Sequence, residues 1–69
     1  MKVVFSERLR QLRLDANLKQ SDLANILKTT QRRISYFEMG KIEPDLATLC
    51  SIANYFQVST DYLLGLKDY

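Results

Sequence analysis

A chain of 69 residues whose single cysteine is Cys50 cannot close an internal disulfide. Its fold must be held by apolar packing, near the lower size at which packing alone suffices. That limits the chain to one domain, residues 1–69, and argues against a large enzyme cleft. The lone thiol fits a reducing compartment better than secretion. The opening MKVVFSERLR has one lysine and a short apolar run before Ser6, too little for a signal-peptide core, and no window approaches the length of a membrane span. A cytoplasmic protein is the expectation.

With one proline, two glycines and no low-complexity run, the chain reads as short helices joined by tight connections, and the apolar spacing predicts five of them. The first starts at Ser6 as N-cap, with Glu7 in its first turn, and runs to about Ala16. It presents Phe5, Leu9 and Leu12 on one face and is followed by Asn17, which tolerates a left-handed backbone. The second covers Gln20 to Leu27 with Leu23, Ala24 and Leu27 inward; Lys19 before it is a poor cap, because an ammonium cannot accept a backbone N–H. Thr30 as N-cap and Gly40 beyond the end delimit a third helix over Gln31 to Met39. Pro44 and Asp45 introduce a fourth, Leu46 to Phe56, whose Leu46, Leu49, Ile52, Ala53 and Phe56 have core-face spacing. Ser59 caps a short fifth, Thr60 to Leu64, which contains Asp61 and ends at Gly65. No segment alternates with period two over strand length, so the fold class is all-α, a compact five-helix bundle.

Charge is distributed unevenly along this bundle. Nine basic side chains accompany four acidic ones from Met1 to Lys41, and one accompanies four from Ile42 to Tyr69. Such asymmetry suggests either a polyanion meeting the first half or ordinary solvated helix faces. Arg32 and Arg33 sharpen the question, since they fall in the first turn of the third helix, where the macrodipole favours acids. Something outside that helix must compensate.

At about 100° per residue, Ile34 and Phe37 define the inward side of the third helix. Gln31, Arg32, Ser35, Tyr36 and Met39 then share the outward side, with no acid among them, while Arg33 and Glu38 flank the core. Arginine presents two donors to guanine O6 and N7, glutamine pairs with adenine N6 and N7, and serine or tyrosine reaches bases or phosphates. Nearby phosphates would offset a dipole penalty of roughly 0.3–1 kcal/mol per arginine. Considered alone, the same face also reads as a solvated surface.

Three stretches, RLRQLRLDANLKQSDLA, TTQRRISYFEMGKIEP and FQVSTDYLLG, in this order and spacing, together resemble the helix-turn-helix family of lambdoid phage repressors and Cro proteins over nearly the whole chain. The resemblance implies a lambda-repressor-like fold with helices 2 and 3 as the bihelical unit and helix 3 entering the major groove. Position by position, Gln20 matches a glutamine that contacts a phosphate and braces the recognition helix. Gln31, Arg32 and Tyr36 match the main base-reading positions, Ser35 and Thr30 positions that touch base or backbone, and Arg33 and Lys41 positions near phosphates. Arg13 and Glu38 match a structural ion pair between helices 1 and 3. Four departures stand out. Lys28 occupies the usual glycine position after helix 2, where a left-handed non-glycine residue costs roughly 1–2 kcal/mol; either the turn differs or stability is traded for a phosphate contact. Lys19 replaces a threonine-like cap, at about 1 kcal/mol. Leu14 and Ile26 stand where the family is polar, as a contact surface or as isolated exposed aliphatics. Cys50, with no nearby histidine or second cysteine, reads as a packed or half-buried thiol.

The implied function is a sequence-specific, double-stranded DNA-binding transcriptional regulator, a repressor of the phage or mobile-element kind. One small domain makes too few contacts for a unique site, so a homodimer on a pseudo-palindromic operator with half-sites about 10 bp apart is expected. The apolar C-terminal stretch around Leu64, Leu66 and Tyr69 is available for that contact. The alternative is a protein-interaction module, antitoxin-like or adaptor, that keeps the fold and uses Leu14, Ile26 and Tyr36 to bind a partner. Catalysis has no support: the chain has no histidine, no phosphate-cradling glycine loop, no metal-ligand cluster and no nucleophile arrangement. No cofactor, metal, small-molecule ligand or membrane is implied.

Overall fold

The computed structural model describes residues 3–69. Five helices follow one another: α1 (Val3–Asp15), α2 (Gln20–Leu27), α3 (Gln31–Glu38), α4 (Leu46–Phe56) and α5 (Thr60–Leu64). Every helix contributes to one apolar cluster, built from Phe5 and Leu9, Leu23 and Ala24, Ile34 and Phe37, Leu49, Ile52 and Ala53, and Leu63. Leu12, Leu27 and Phe56 pack on its margin. The inward faces expected of α2 and α3 are therefore the observed ones. Phe5 and Phe37 meet edge to face with ring centroids 6.1 Å apart, a geometry worth about 0.5–1.5 kcal/mol beyond the area it buries. That contact ties α3 to α1, and α3 also packs against α2.

The two ends of each helix have different chemistry. At the N-termini, Thr30 Oγ1 accepts the Arg33 N–H at 3.2 Å and Ser59 Oγ accepts the Tyr62 N–H at 3.0 Å. Lys19 gives α2 only half of a capping box: the Asp22 carboxylate accepts the Lys19 N–H at 2.8 Å, while the ammonium has no lone pair to return. At the C-termini all five helices stop the same way. Asn17, Lys28, Gly40, Gln57 and Gly65 adopt positive φ, and the N–H of the next residue bonds back across six residues, as in Leu18 to Arg13, Thr29 to Ala24 and Leu66 to Asp61. This is the Schellman arrangement. The turn after α2 thus keeps its left-handed residue although Lys28 (φ 57°) fills it. At Gly65 (φ 83°) a Cβ would lie 2.9 Å from Val4 Cγ1, so any side chain there would have to displace Val4.

Three expectations are corrected here. α1 begins at Val3, so Ser6 is no N-cap; it lies inside the helix, buried, and Glu7 falls beyond the first turn. The earlier start accompanies the burial of Phe5 and the close approach of Val4 to Gly65. Leu46, expected in the core, opens α4 at 80% exposure. Cys50 lies on the outer side of the same helix and is exposed rather than packed. No helix among the described residues is long and apolar enough to cross a membrane.

Candidate nucleic-acid interface

The position of α3 is set from behind by a buried polar network. Arg13 on α1 reaches Glu38 through two bonds, Nε to Oε2 at 2.6 Å and Nη2 to Oε1 at 3.0 Å, while its Nη1 donates to the Leu18 carbonyl at 2.8 Å. Gln20 adds a third donor, Nε2 to Glu38 Oε1 at 3.1 Å. The two charged side chains are only 10% and 4% exposed, and the bond to Glu38 raises the Arg13 pKa further, so the guanidinium stays charged. One carboxylate thus joins α1, α2 and α3, with the bidentate geometry a buried pair requires. Arg13 and Glu38 form an ion pair, and the Gln20 amide bonds to the same carboxylate.

The opposite side of α3 faces solvent. Gln31, Arg32 and Met39 are exposed, Ser35 and Tyr36 half-buried, and the capping Thr30 is exposed at the helix start. Arg32 Nε donates to the Tyr36 hydroxyl at 3.2 Å. The end of the helix returns Lys41 to the same place: its backbone N–H bonds to the Tyr36 carbonyl at 2.9 Å, and its ammonium lies 5.5 Å from the Tyr36 ring centroid. Gly40, at φ 73°, makes that return possible, and a Cβ there would press on Ser6 Oγ at 3.3 Å. Tyr36 therefore has a cation within reach on each of two chain segments. Cations, amide, hydroxyls and a thioether share the surface.

Arg33 is placed differently from Arg32. Its Nη2 lies 3.3 Å from Asp45 Oδ1 at the N-terminus of α4, and its guanidinium carbon lies 5.1 Å from the Phe37 ring centroid. The Thr48 hydroxyl first, and the Arg33 guanidinium among the lesser causes, hold the Asp45 carboxyl below its ordinary pKa of 3.8. The apparent clash of two first-turn arginines with the macrodipole is thus half relieved inside the protein. Arg32 has no acidic partner among the described contacts and bonds instead to Tyr36. Sequence reasoning missed Asp45 because it read that residue as a helix signal; its spacing from Arg33 carries meaning only once α3 and α4 are packed.

A second unforeseen cluster lies at the other end of the molecule. Arg8 donates to the Tyr62 carbonyl and, at 2.7 Å, to the Lys67 carbonyl, stacks 4.3 Å over the Tyr62 ring, and approaches Asp68 at 3.6 Å. Ser59 Oγ donates to the Tyr69 carbonyl at 3.0 Å. The C-terminal segment is tied down by these bonds while Leu66 (72%) and Tyr69 (78%) remain exposed. Leu64, expected beside them, packs instead against the core. Leu14 and Ile26 are exposed at 44% and 37%.

The arrangement of α2, a tight turn and an outward-facing α3 recurs in known proteins. The solved structure of the P22 c2 repressor in complex with a synthetic operator superimposes with a TM-score of 0.81 at 29% identity, covering 86% of this chain and 89% of that one. Among curated proteins, the SPbeta prophage-derived HTH-type transcriptional regulator YonR of Bacillus subtilis is 41% identical over 61 residues, which are 88% of this chain and 56% of YonR. YqaE of the same organism, also an HTH-type transcriptional regulator, is 41% identical over 61 residues, 88% of this chain and 53% of that protein. The HTH-type transcriptional activator BcrR of Enterococcus faecalis is 42% identical over the same length, 88% of this chain and 30% of BcrR. The chain spans about half the length of the first two relatives. The profile of the helix-turn-helix family matches residues 9–63, and the chain belongs to that family.

Proposed function

We propose that this chain is the DNA-binding domain of a sequence-specific transcriptional regulator of the phage or mobile-element kind, working in the cytoplasm as a repressor. The observation that carries the proposal is the acid-free outward face of α3, held rigidly from behind by Arg13, Glu38 and Gln20. In this reading α3 lies in the major groove with Gln31, Arg32 and Tyr36 toward the bases, and Ser35 and Thr30 toward base or backbone. Lys41 and Gln20 flank it at phosphates; the Gln20 amide keeps a second N–H beyond its bond to Glu38. Arg33 has five N–H donors, so a single bond to Asp45 leaves others for a phosphate. Repression needs nothing beyond occupancy, since a bound protein excludes polymerase from the same DNA.

A domain of this size makes too few base contacts for a unique site, so the working form is a homodimer on a pseudo-palindrome. Leu66 and Tyr69, exposed on a segment anchored by Arg8 and Ser59, are the proposed contact. About four phosphate contacts per subunit give a dimer slope of about −7 in log K against log salt.

A titration against random genomic duplex at low salt tests the reading. Salt-sensitive binding is expected; no binding at all would favour the adaptor alternative, for which the exposure of Leu14 and Ile26 is the supporting observation. Two variants divide the roles further. Arg32→Ala relaxes base preference at one position, with a discrimination loss of about 1–3 kcal/mol, whereas Lys41→Ala weakens all sequences alike and lowers the salt slope by about 1 per subunit. Identical profiles for the two would contradict the assignment.

A further inference from the structure

We infer that Tyr36 is a positioning residue for Arg32 rather than a reader of bases itself, and that the pair commits each subunit to a guanine at one position of its half-site. The inference rests on the DNA-binding reading above and specifies its chemistry. Arg32 and Tyr36 are four residues apart on α3, one above the other on the same face. The bond between them uses Arg32 Nε, 3.2 Å from the phenol oxygen. Tying back Nε leaves the terminal nitrogens, Nη1 and Nη2, as a parallel pair of donors. Such a pair matches guanine O6 and N7; adenine offers only one acceptor at the same edge, and its amino group opposes a second donor.

The nature of the acceptor decides the outcome. A carboxylate would orient an arginine as well, but it would cancel the positive charge and repel phosphates. The neighbouring Arg33 carries such a partner on one nitrogen, Asp45 at 3.3 Å, and keeps its other donors. A phenol oxygen orients without neutralising, and its own O–H remains a donor. Lys41 completes the arrangement, since its backbone bond to the Tyr36 carbonyl and its ammonium 5.5 Å from the ring hold a second cation beside the phenol. Adjacent arginines thus differ in their partners: Arg33 joins α3 to α4 through a carboxylate, and Arg32 is aimed by a neutral phenol.

The test is selection of bound duplexes from a pool with a random core of about 20 bp, run in parallel with the wild-type protein, Tyr36→Phe, Arg32→Lys and Arg32→Ala. The wild type is expected to return one guanine per half-site that Arg32→Ala renders degenerate. Tyr36→Phe keeps the ring and removes the oxygen. It should weaken preference at that same guanine about threefold to tenfold, the worth of one net hydrogen bond, with the other positions as internal reference. Arg32→Lys should keep part of the guanine preference, since an ammonium still donates to O6 or N7, but less than the wild type because it lacks the rigid fork. An undiminished guanine in Tyr36→Phe, alongside its loss in Arg32→Ala, overturns the inference and leaves the DNA-binding reading standing. So does degeneracy at a different base pair, which would make Tyr36 a reader, or a base other than guanine at the Arg32 position. Failure of the wild type to enrich any sequence removes the inference and its foundation together.

Discussion

Arg13 and Arg32 both project from helices, and their surroundings make one a buried strut and leave the other exposed with only its Nε bonded to Tyr36. Arg13 spends three nitrogens on Glu38 and Leu18 in a site that excludes water. Removing its partner with Glu38→Ala would strand a buried charge and should destabilise the fold by about 3–5 kcal/mol, measured by urea denaturation; a loss under about 1 kcal/mol, the range of exposed pairs, would mean the network is solvated. The sequence showed this pair only through the family resemblance, because no local pattern links positions 25 apart. Arg33 and Asp45 were still harder to foresee. That exposed pair has a definite acid dependence: Asp45 titrates below its ordinary value of 3.8, so its contribution is full above the unfolded pKa and is lost as pH falls through the lower folded one. An NMR titration of Asp45 should show that depression, and Thr48→Val should reverse more of it than Arg33→Ala.

At the scale of the helices, periodicity and end signals predicted most of what is seen, and the misses share a cause. α2, α4 and α5 have the expected bounds, and α3 differs only in ending at Glu38 with Met39 as its cap. These segments carry their signals locally, in caps, in glycines and in apolar spacing. The start of α1 was misread because Ser6 looks like a cap, whereas Phe5 and Val4 before it pack on Phe37 and beside Gly65, partners far along the chain. Leu46 was misread because spacing gives the direction of a side chain and not its depth; the first turn of α4 extends past the core. The left-handed helix ends allow a sharper test. Gln57 offsets its strained φ with a side-chain bond from Nε2 to the Asn54 carbonyl at 2.8 Å, but no such bond serves the Lys28 side chain among those described. Lys28→Gly should therefore stabilise the domain by about 1 kcal/mol, visible as a higher midpoint in thermal or urea melts. An unchanged or lower midpoint would show that the turn is not strained.

For the molecule as a whole, one side of α3 is exposed while the other is held from behind by Arg13, Glu38 and Gln20. Its basic first half supplies α3 and the segments around it, and its acidic second half supplies Asp45 and the tethered C-terminus. Charge distribution alone names a polyanion and not a sequence; double-stranded DNA was legible only through the family resemblance. The proposed dimer contact is tested by Leu66→Asp, which should leave the monomer folded, because Leu66 is 72% exposed, and should abolish two-fold binding by ultracentrifugation on DNA. The most direct measurement of the central claim is an NMR titration of the protein with a bound duplex, following every backbone amide and arginine Nε–H. The largest perturbations should fall on Gln31, Arg32, Ser35, Tyr36 and Lys41, with the exposed side of α4 around Cys50 unmoved; perturbations centred on α4 or on Leu14 and Ile26, with α3 silent, would contradict it.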